Sequence, residues 1–219
     1  MKLRNKNLKI LKSNHVYSEE MEHDACGVGL VASTEGLKSR KVVEYGIDAL
    51  KAVWHRGAID ADGKTGDGAG IHIEIPKDFF EEKIEVTGHK HDNSELCVGM
   101  IFLPRNDYSA QEQCRTIVES ELTKRNFSIY GWRQVPVDPS VLGEKAEQTR
   151  PEITQVLFTY NDKKVVNKSL EQKLYETRRV IEKEALNNQL NNFYICSFSS
   201  KSIIYKGMFL AEALSDFYT

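Results

Sequence analysis

The chain has 219 residues, of which 40% are hydrophobic and 28% charged, and its formal net charge is −2. These values are typical of a folded globular domain, and they exclude a disordered or fibrous chain. The near balance of charge favours neither a nucleic acid nor a membrane as partner. No apolar stretch approaches the about 20 residues that cross a bilayer as a helix. The 4 cysteines are far apart, which predicts no disulfide framework and a reducing cytoplasm as the location.

Residues 1–25 form a charged leader that begins with basic and ends with acidic side chains. The leader lacks the uninterrupted apolar stretch of about 7 to 15 residues that a secretory signal requires. It ends at Ala25 and Cys26, where an apolar, glycine-rich run begins that continues to Ala32 and is typical of a buried strand. The leader is therefore either a tail without regular structure or a removable propeptide.

The later elements are predicted from hydrophobic periodicity and turn residues. A helix is expected over 39–54, ended by Gly57, and a loop rich in glycine and aspartate continues to Gly70. Residues 85–95 are expected to be an exposed polar insertion. Strands are predicted at 71–75, 96–103, 128–135, 153–160, 193–198 and 202–205, and helices at 110–125 and 169–185. This order predicts an α+β fold of sheets that carry helices on their outer faces.

Two glycine motifs resemble nucleotide-binding sequences but lack the context that such sites need. Gly63, Lys64 and Thr65 could end a P-loop, but the first glycine of that motif would stand where this chain has Ala58. Gly27–Ala32 fits a dinucleotide fingerprint in spacing, yet it follows an acidic segment where a strand is required. The pair of His89 and His91 is predicted to lie in an exposed loop without a carboxylate or cysteine at ligand spacing, so no metal site is predicted.

Cys26 carries the strongest chemical signal in the chain. If the peptide bond after Ala25 is cut, Cys26 gains a free α-amine. An α-amine with a pKa of about 7.7 to 8.0 can accept the proton of a thiol with a pKa of about 8.5. Gly27 has no Cβ and would leave room for a substrate beside the nucleophile. The alternative interpretation is an ordinary buried thiol.

Several segments together resemble one known family, the N-terminal glutaminase domain of the glutamate synthase large subunit. The similar segments are Cys26-Gly27-Val28-Gly29, His55-Arg56-Gly57-Ala58, the run from Asp62 to Gly70, Trp132-Arg133, Pro151 and Tyr205-Lys206-Gly207-Met208. The resemblance covers residues 24–219. It implies a class II glutamine amidotransferase of the N-terminal nucleophile type, with an α+β fold arranged as a four-layer αββα sandwich. Residues 1–25 would be the propeptide, and residues 26–219 the N-terminal part of the amidotransferase domain.

The resemblance also implies roles for individual residues. Cys26 would attack the amide of glutamine, form a glutamyl thioester and release ammonia, which a synthase domain of the same longer chain would add to 2-oxoglutarate. Gly57, Asp67 and Gly68 would line the site. Arg56 would either contact the substrate or bind carbonyl groups at a helix end.

The resemblance implies cofactors and partners as well. No cofactor is expected in this segment, whereas FMN and an iron–sulfur cluster are implied for the rest of the enzyme. Glutamine is the expected substrate, and a small electron-donating subunit is a further partner that the resemblance allows.

Two motifs of the family are missing from the chain. The resemblance requires an Asn-Gly pair that stabilises the oxyanion and an Arg-Phe-Ser-Thr segment that holds the glutamine carboxylate, and neither occurs in these 219 residues. Removal of one oxyanion donor typically slows such a reaction by about 10² to 10³. The chain is therefore expected to be truncated, with a sandwich that is incomplete at the C-terminus and little activity alone.

Two other functions remain open at this stage. The chain could be a non-catalytic binding or regulatory domain in which the glycine loops are only turns. It could also be the glutaminase domain of another class II amidotransferase, with a sugar phosphate or a phosphoribosyl group as the nitrogen acceptor. The run from Asp62 to Gly68 favours the glutamate synthase branch.

Removal of the leader can be tested directly. We expect the purified protein to begin at Cys26, since only cleavage after Ala25 supplies the α-amine that the nucleophile uses as its base. Intact mass and N-terminal sequencing measure this. Retention of residues 1–25 in the purified protein would instead favour the non-catalytic domain.

Overall fold

The computed structural model describes residues 2–14, 27–53, 57–90 and 94–219. The leader contributes one helix, and helices and strands are mixed through the rest of the described chain. The elements are α1 (Lys2–Ser13), α2 (Arg40–Ala52), β1 (Ala69–Glu74), α3 (Lys77–Val86), β2 (Leu96–Leu103), α4 (Tyr108–Lys124), β3 (Phe127–Gln134), α5 (Glu144–Thr149), β4 (Glu152–Tyr160), α6 (Asn167–Asn187), β5 (Tyr194–Ser199), β6 (Ser202–Gly207) and α7 (Leu214–Phe217). None of the described helices is long and apolar enough to span a membrane.

An antiparallel four-stranded sheet in the order β3-β4-β2-β5 forms the centre of the fold. Its inner strand β2 is buried along nearly its whole length because both faces of the sheet are covered. Successive side chains of a strand point to opposite faces. Ile101 accordingly contributes to the core on one face, and Met100 to the core on the other.

Helices α4 and α6 cover one face of this sheet. Leu122 of α4 and Ile181 of α6 are fully buried there, together with Phe158 of β4. In α4 the Asp107 carboxylate caps the first turn, where it accepts a hydrogen bond from the Ala110 N–H at 2.9 Å. The wide apolar stripes of the two helices thus form one core with the sheet.

A second sheet covers the opposite face of the first. Strands β1 and β6 pair antiparallel, with Ile73 opposite Ile203 and Ile71 opposite Tyr205. These side chains belong to the second core, whereas His72 on the other face of β1 is exposed. Two sheets that pack face to face bury alternate residues of each strand in this way.

The structure confirms most of the predicted elements and the coarse α+β class. The strand predicted at 96–103 has the same bounds as β2, and the helix predicted at 169–185 lies within α6. The sequence analysis missed α3, whose Phe80 and Ile84 are fully buried. It also missed α5, which has 6 residues and a single buried side chain, Ala146. Such short elements give too little periodicity to predict.

Three expectations about the N-terminal part were wrong or incomplete. The buried strand predicted up to residue 32 is absent from its described part, 27–32, where Val28 and Leu30 are 91% and 92% exposed. An apolar run becomes a strand only where a neighbouring edge accepts its hydrogen bonds, and no described strand pairs with this run. Helix α2 ends at Ala52, before the predicted stop at Gly57, and residues 2–13 of the leader are helical.

Gly99 in β2 offers a test of the central packing. A Cβ at this position would lie 2.7 Å from Cγ1 of Val156 and 2.8 Å from the ring of Phe198. We expect Gly99→Ala to lower the free energy of unfolding by about 1 to 3 kcal/mol, since overpacking forces side chains off their rotamers. Urea denaturation followed by circular dichroism measures this change. In the control Gly29→Ala, the added Cβ meets no atom within 4 Å, and equal midpoints for the two variants would contradict the packing.

Candidate functional site

A hairpin over residues 58–67 brings predicted site residues together. The Asp67 N–H donates to the Ala58 carbonyl oxygen at 3.2 Å, and Ile59 forms a β-bridge with Gly66. Gly57 therefore lies at the open end of the hairpin, across from Asp67 and its neighbour Gly68. Gly57 and Asp67 are ten residues apart in the chain, but they lie at the same end of the hairpin.

Two further site residues fall outside the part of the chain that the structure describes. Cys26 directly precedes the described segment that begins at Gly27, and Arg56 directly precedes Gly57. Their roles as nucleophile and as site-lining residue stay predictions. The described chain resumes at Gly57, and the next residue, Ala58, is held by the hydrogen bond of its carbonyl oxygen with the Asp67 N–H.

The glycines of the run from Gly66 to Gly70 allow two backbones to come close. A Cβ on Gly66 would lie 2.7 Å from the carbonyl carbon of Phe209, and a Cβ on Gly70 would lie 2.7 Å from Cβ of Lys206. Gly68 has a φ of +120°, which side-chain-bearing residues rarely adopt. The run is therefore held against β6 and the residues that follow β6, and the glycines are required there by contact and by conformation.

The Gly-Lys-Thr sequence at the tip of the hairpin does not form a phosphate cradle. The backbone N–H groups of Lys64 and Thr65 both donate to the Asp62 carboxylate, at 2.9 and 2.7 Å. A P-loop needs such donors for phosphate oxygens. Here an internal carboxylate already binds them, in agreement with the rejection of nucleotide binding from motif spacing.

The run from Asp67 to Gly70 lines one side of a groove of about 1160 Å³. Phe102, Tyr194 and Lys206 contribute to other parts of its wall, so the lining is partly aromatic and partly charged. The volume is slightly above the range of about 300 to 1,000 Å³ that is usual for small-molecule sites. A ligand or a polypeptide segment can therefore be accommodated beside Asp67 and Gly68.

Two arginines of the groove share one carboxylate. Arg150 donates from Nε to Oε2 of Glu147 at 2.7 Å, and Arg105 donates to the other oxygen. The hydrogen bond from Arg150, together with the one from Arg105, holds the pKa of Glu147 below its ordinary value. The two arginines carry two positive charges and Glu147 carries one negative charge, so this group of three has a net positive charge.

The remaining cysteines are buried structural thiols. Burial raises the pKa of Cys114 and of Cys196 to about 11, and it raises the pKa of Cys97 further. The thiolate is the reactive form of cysteine. These three thiols are therefore poor nucleophiles at neutral pH, and Cys26 stays the candidate that the sequence indicated.

Comparison with known proteins decides the family. The family model for class-II glutamine amidotransferases matches residues 26–219. The chain belongs to this family. It is 55% identical over 97% of its length to the glutamate synthase [NADPH] large chain of Azospirillum brasilense, and 36% identical over 96% to the ferredoxin-dependent glutamate synthase of Pyropia yezoensis. In both comparisons this amidotransferase chain spans 14% of the length of the relative.

Packing contacts of the site were harder to predict than its residues. The sequence analysis named the glycine run but missed Phe209, against which Gly66 lies, because the two are far apart in the chain. It also missed Asp62 as the acceptor for the hairpin tip. An aspartate that is two residues before a backbone donor is a recognised turn signal, so this contact could have been predicted.

Thiol reactivity provides a test of these assignments. At pH 8 we expect iodoacetamide to modify Cys97, Cys114 and Cys196 slowly in the folded protein, because their raised pKa values leave little thiolate. Cys26 should supply the fast phase, and all four should react in urea. Peptide mass mapping over time measures each site, with Cys26→Ser as the control. Fast labelling of Cys114 in the folded protein would contradict the assignment.

Proposed function

We propose that this amidotransferase chain is the glutaminase part of a glutamate synthase. The observation that carries the proposal is the family match from Cys26 to Thr219, together with relatives that are named glutamate synthases. In the full-length protein, ammonia released from glutamine would reach a synthase domain and be added to 2-oxoglutarate. The other nitrogen acceptors have no comparable support.

Cys26 acts as an N-terminal nucleophile in this proposal. Its α-amine accepts the thiol proton, and the sulfur attacks the side-chain amide carbon of glutamine to give a tetrahedral oxyanion. The carbon–nitrogen bond then breaks, the nitrogen leaves as ammonia after it takes up a proton, and a glutamyl thioester remains. Water attacks the thioester, which releases glutamate and restores the thiol. The start of the family match at Cys26 supports this assignment.

The hairpin provides the proposed surroundings of the nucleophile. Gly57 and Asp67 lie at its open end, and Asp67 and Gly68 also line the groove, where glutamine would bind. Arg56 precedes Gly57 and would enter the site from the same arm of the hairpin. Glycines at these positions leave room for a substrate close to the backbone.

Other parts of the active site would come from outside these residues. The oxyanion donors and the carboxylate clamp of the family are not found in the 219 residues, so we propose that the complete site needs further chain. Such chain would also complete a four-layer αββα sandwich around the two sheets that pack face to face. FMN and the iron–sulfur cluster would be bound in the synthase part, away from the residues described above.

Substitution of Cys26 tests the proposed function. We expect Cys26→Ala to abolish glutamate release from glutamine in the full-length gene product, because both the nucleophile and the thioester are lost. Cys114→Ala is a matched control, since that thiol is buried in α4 and lies outside the proposed site. The measurement is glutamate formation without 2-oxoglutarate, together with a mass search for the thioester. Full activity of Cys26→Ala would show that another residue is the nucleophile.

A further inference from the structure

The tip of the hairpin at 58–67 is held by a cluster of hydrogen bonds, which we name the tip clasp and define as Asp62, Lys64 and Thr65. We infer that Asp62 is a positioning residue for the glutaminase site, which it serves through the tip clasp and without touching the substrate. This inference rests on the proposed function, because it concerns the same reaction. It assigns a role to a residue that the sequence analysis treated only as part of a motif.

Both oxygens of the Asp62 carboxylate accept hydrogen bonds inside the tip clasp. Oδ1 accepts hydrogen bonds from the N–H groups of Lys64 and Thr65, and Oδ2 accepts one from the Thr65 hydroxyl at 2.5 Å. The hydrogen bond from the Thr65 hydroxyl, helped by the two backbone donors, lowers the pKa of Asp62 well below its ordinary value. The group therefore stays ionised at neutral pH, and its contribution to stability is lost progressively as the pH falls from the ordinary pKa of an aspartate toward the lowered value.

Helix α5 is seated directly on the tip clasp. The Ala146 N–H donates to the Thr65 hydroxyl at 3.4 Å, and the Lys145 backbone N–H lies near enough to Asp62 to help lower its pKa. A Cβ on Gly143 would lie 2.3 Å from both Asp62 Oδ2 and Thr65 Oγ1. Since Thr65 is only 4% exposed, the clasp is a fixed point of the tertiary structure and more than a local turn.

The two arms of the hairpin connect the tip clasp to the site residues. On one arm, Thr65 leads to Gly66, which is pressed against Phe209, and on to Gly68 in the groove wall. The Asp60 N–H donates to the Thr65 carbonyl at 2.9 Å, which sets the register of the other arm. That arm ends at Gly57. Loss of the clasp would therefore shift the two sides of the site relative to each other.

A small shift of this kind is enough to affect catalysis. Misplacement of reacting groups by about 1 Å can slow a reaction by about a hundredfold. A clasp that served stability alone would lower the melting temperature but leave kcat and KM of the remaining folded enzyme unchanged. The two roles are therefore separable by kinetics on folded protein.

Three substitutions in the full-length gene product test the inference. Asp62→Asn removes the charge and one acceptor, Thr65→Val removes the hydroxyl at nearly equal volume, and Thr65→Ser restores the hydroxyl. Asp162→Asn is the matched control, because Asp162 accepts the Lys164 N–H at 3.0 Å in a similar turn away from the hairpin. Glutamine hydrolysis is measured well below the melting temperature of each variant, with the folded fraction determined by circular dichroism.

We expect kcat/KM for glutamine to fall by at least about tenfold in Asp62→Asn and in Thr65→Val, from lost positioning. Thr65→Ser should stay near wild type, as should Asp162→Asn. The double variant that combines Asp62→Asn with Thr65→Val should hydrolyse glutamine no more slowly than Asp62→Asn alone, because both residues act through the tip clasp. The exposed ion pair of Lys145 with Asp60 adds little in such a geometry, so Lys145→Ala should be close to wild type.

The outcomes separate the inference from the proposed function. If wild type hydrolyses glutamine and folded Asp62→Asn and Thr65→Val retain its kcat and KM, the positioning role is wrong and the glutaminase assignment stands. If Thr65→Ser is as slow as Thr65→Val, the hydroxyl contact is not the cause and the inference also fails. Should Asp62→Asn not fold, the comparison of Thr65→Val with Thr65→Ser decides. An inactive wild type would overturn both proposals.

Discussion

Burial of the four-stranded sheet on both faces is the constraint on which the rest of the fold depends. Strand β2 carries large apolar side chains toward both sides, so each face needs its own cover. Helices α4 and α6 cover one face, and the pair β1-β6 covers the other. The second cover also positions the glycine run from Gly66 to Gly70, because β6 and its continuation provide the surface against which this run lies.

The site residues are positioned by backbone contact more than by side-chain chemistry. Gly66 and Gly70 approach main-chain atoms of the β6 region more closely than any larger residue could. The hairpin then pairs Ala58 with Asp67 through a backbone hydrogen bond, which places Gly57 at the same end of the hairpin as Asp67. Such contacts leave few rotamers to order, so the geometry of the hairpin and of the glycine run can be held at little cost in side-chain entropy.

Charge is used differently at the hairpin and in the groove. Asp62 accepts hydrogen bonds from Lys64 and Thr65 of its own loop, so its negative charge is balanced locally and holds the chain in place. In the groove, Arg105 and Arg150 share Glu147, which leaves excess positive charge on a wall that faces a cavity. Burial meanwhile raises the pKa of the thiols of Cys97, Cys114 and Cys196, which lowers their reactivity at neutral pH. Cys26, where the family match begins, stays the predicted nucleophile.

The sequence by itself determined the α+β class, most long elements and the family. The continuous apolar run of β2 and the helical periodicity of α6 are strong signals because many buried residues contribute to them. The segments around Cys26, Arg56 and Asp67 are distinctive in residue type and spacing. It could not determine short elements such as α5, which follow from tertiary packing. Only the tertiary structure decided that the run after Cys26 lacks a described strand partner and that Gly66 lies on Phe209. Both depend on backbone groups far apart in the chain, and a local pattern carries no information about which distant edge or carbonyl a segment will meet.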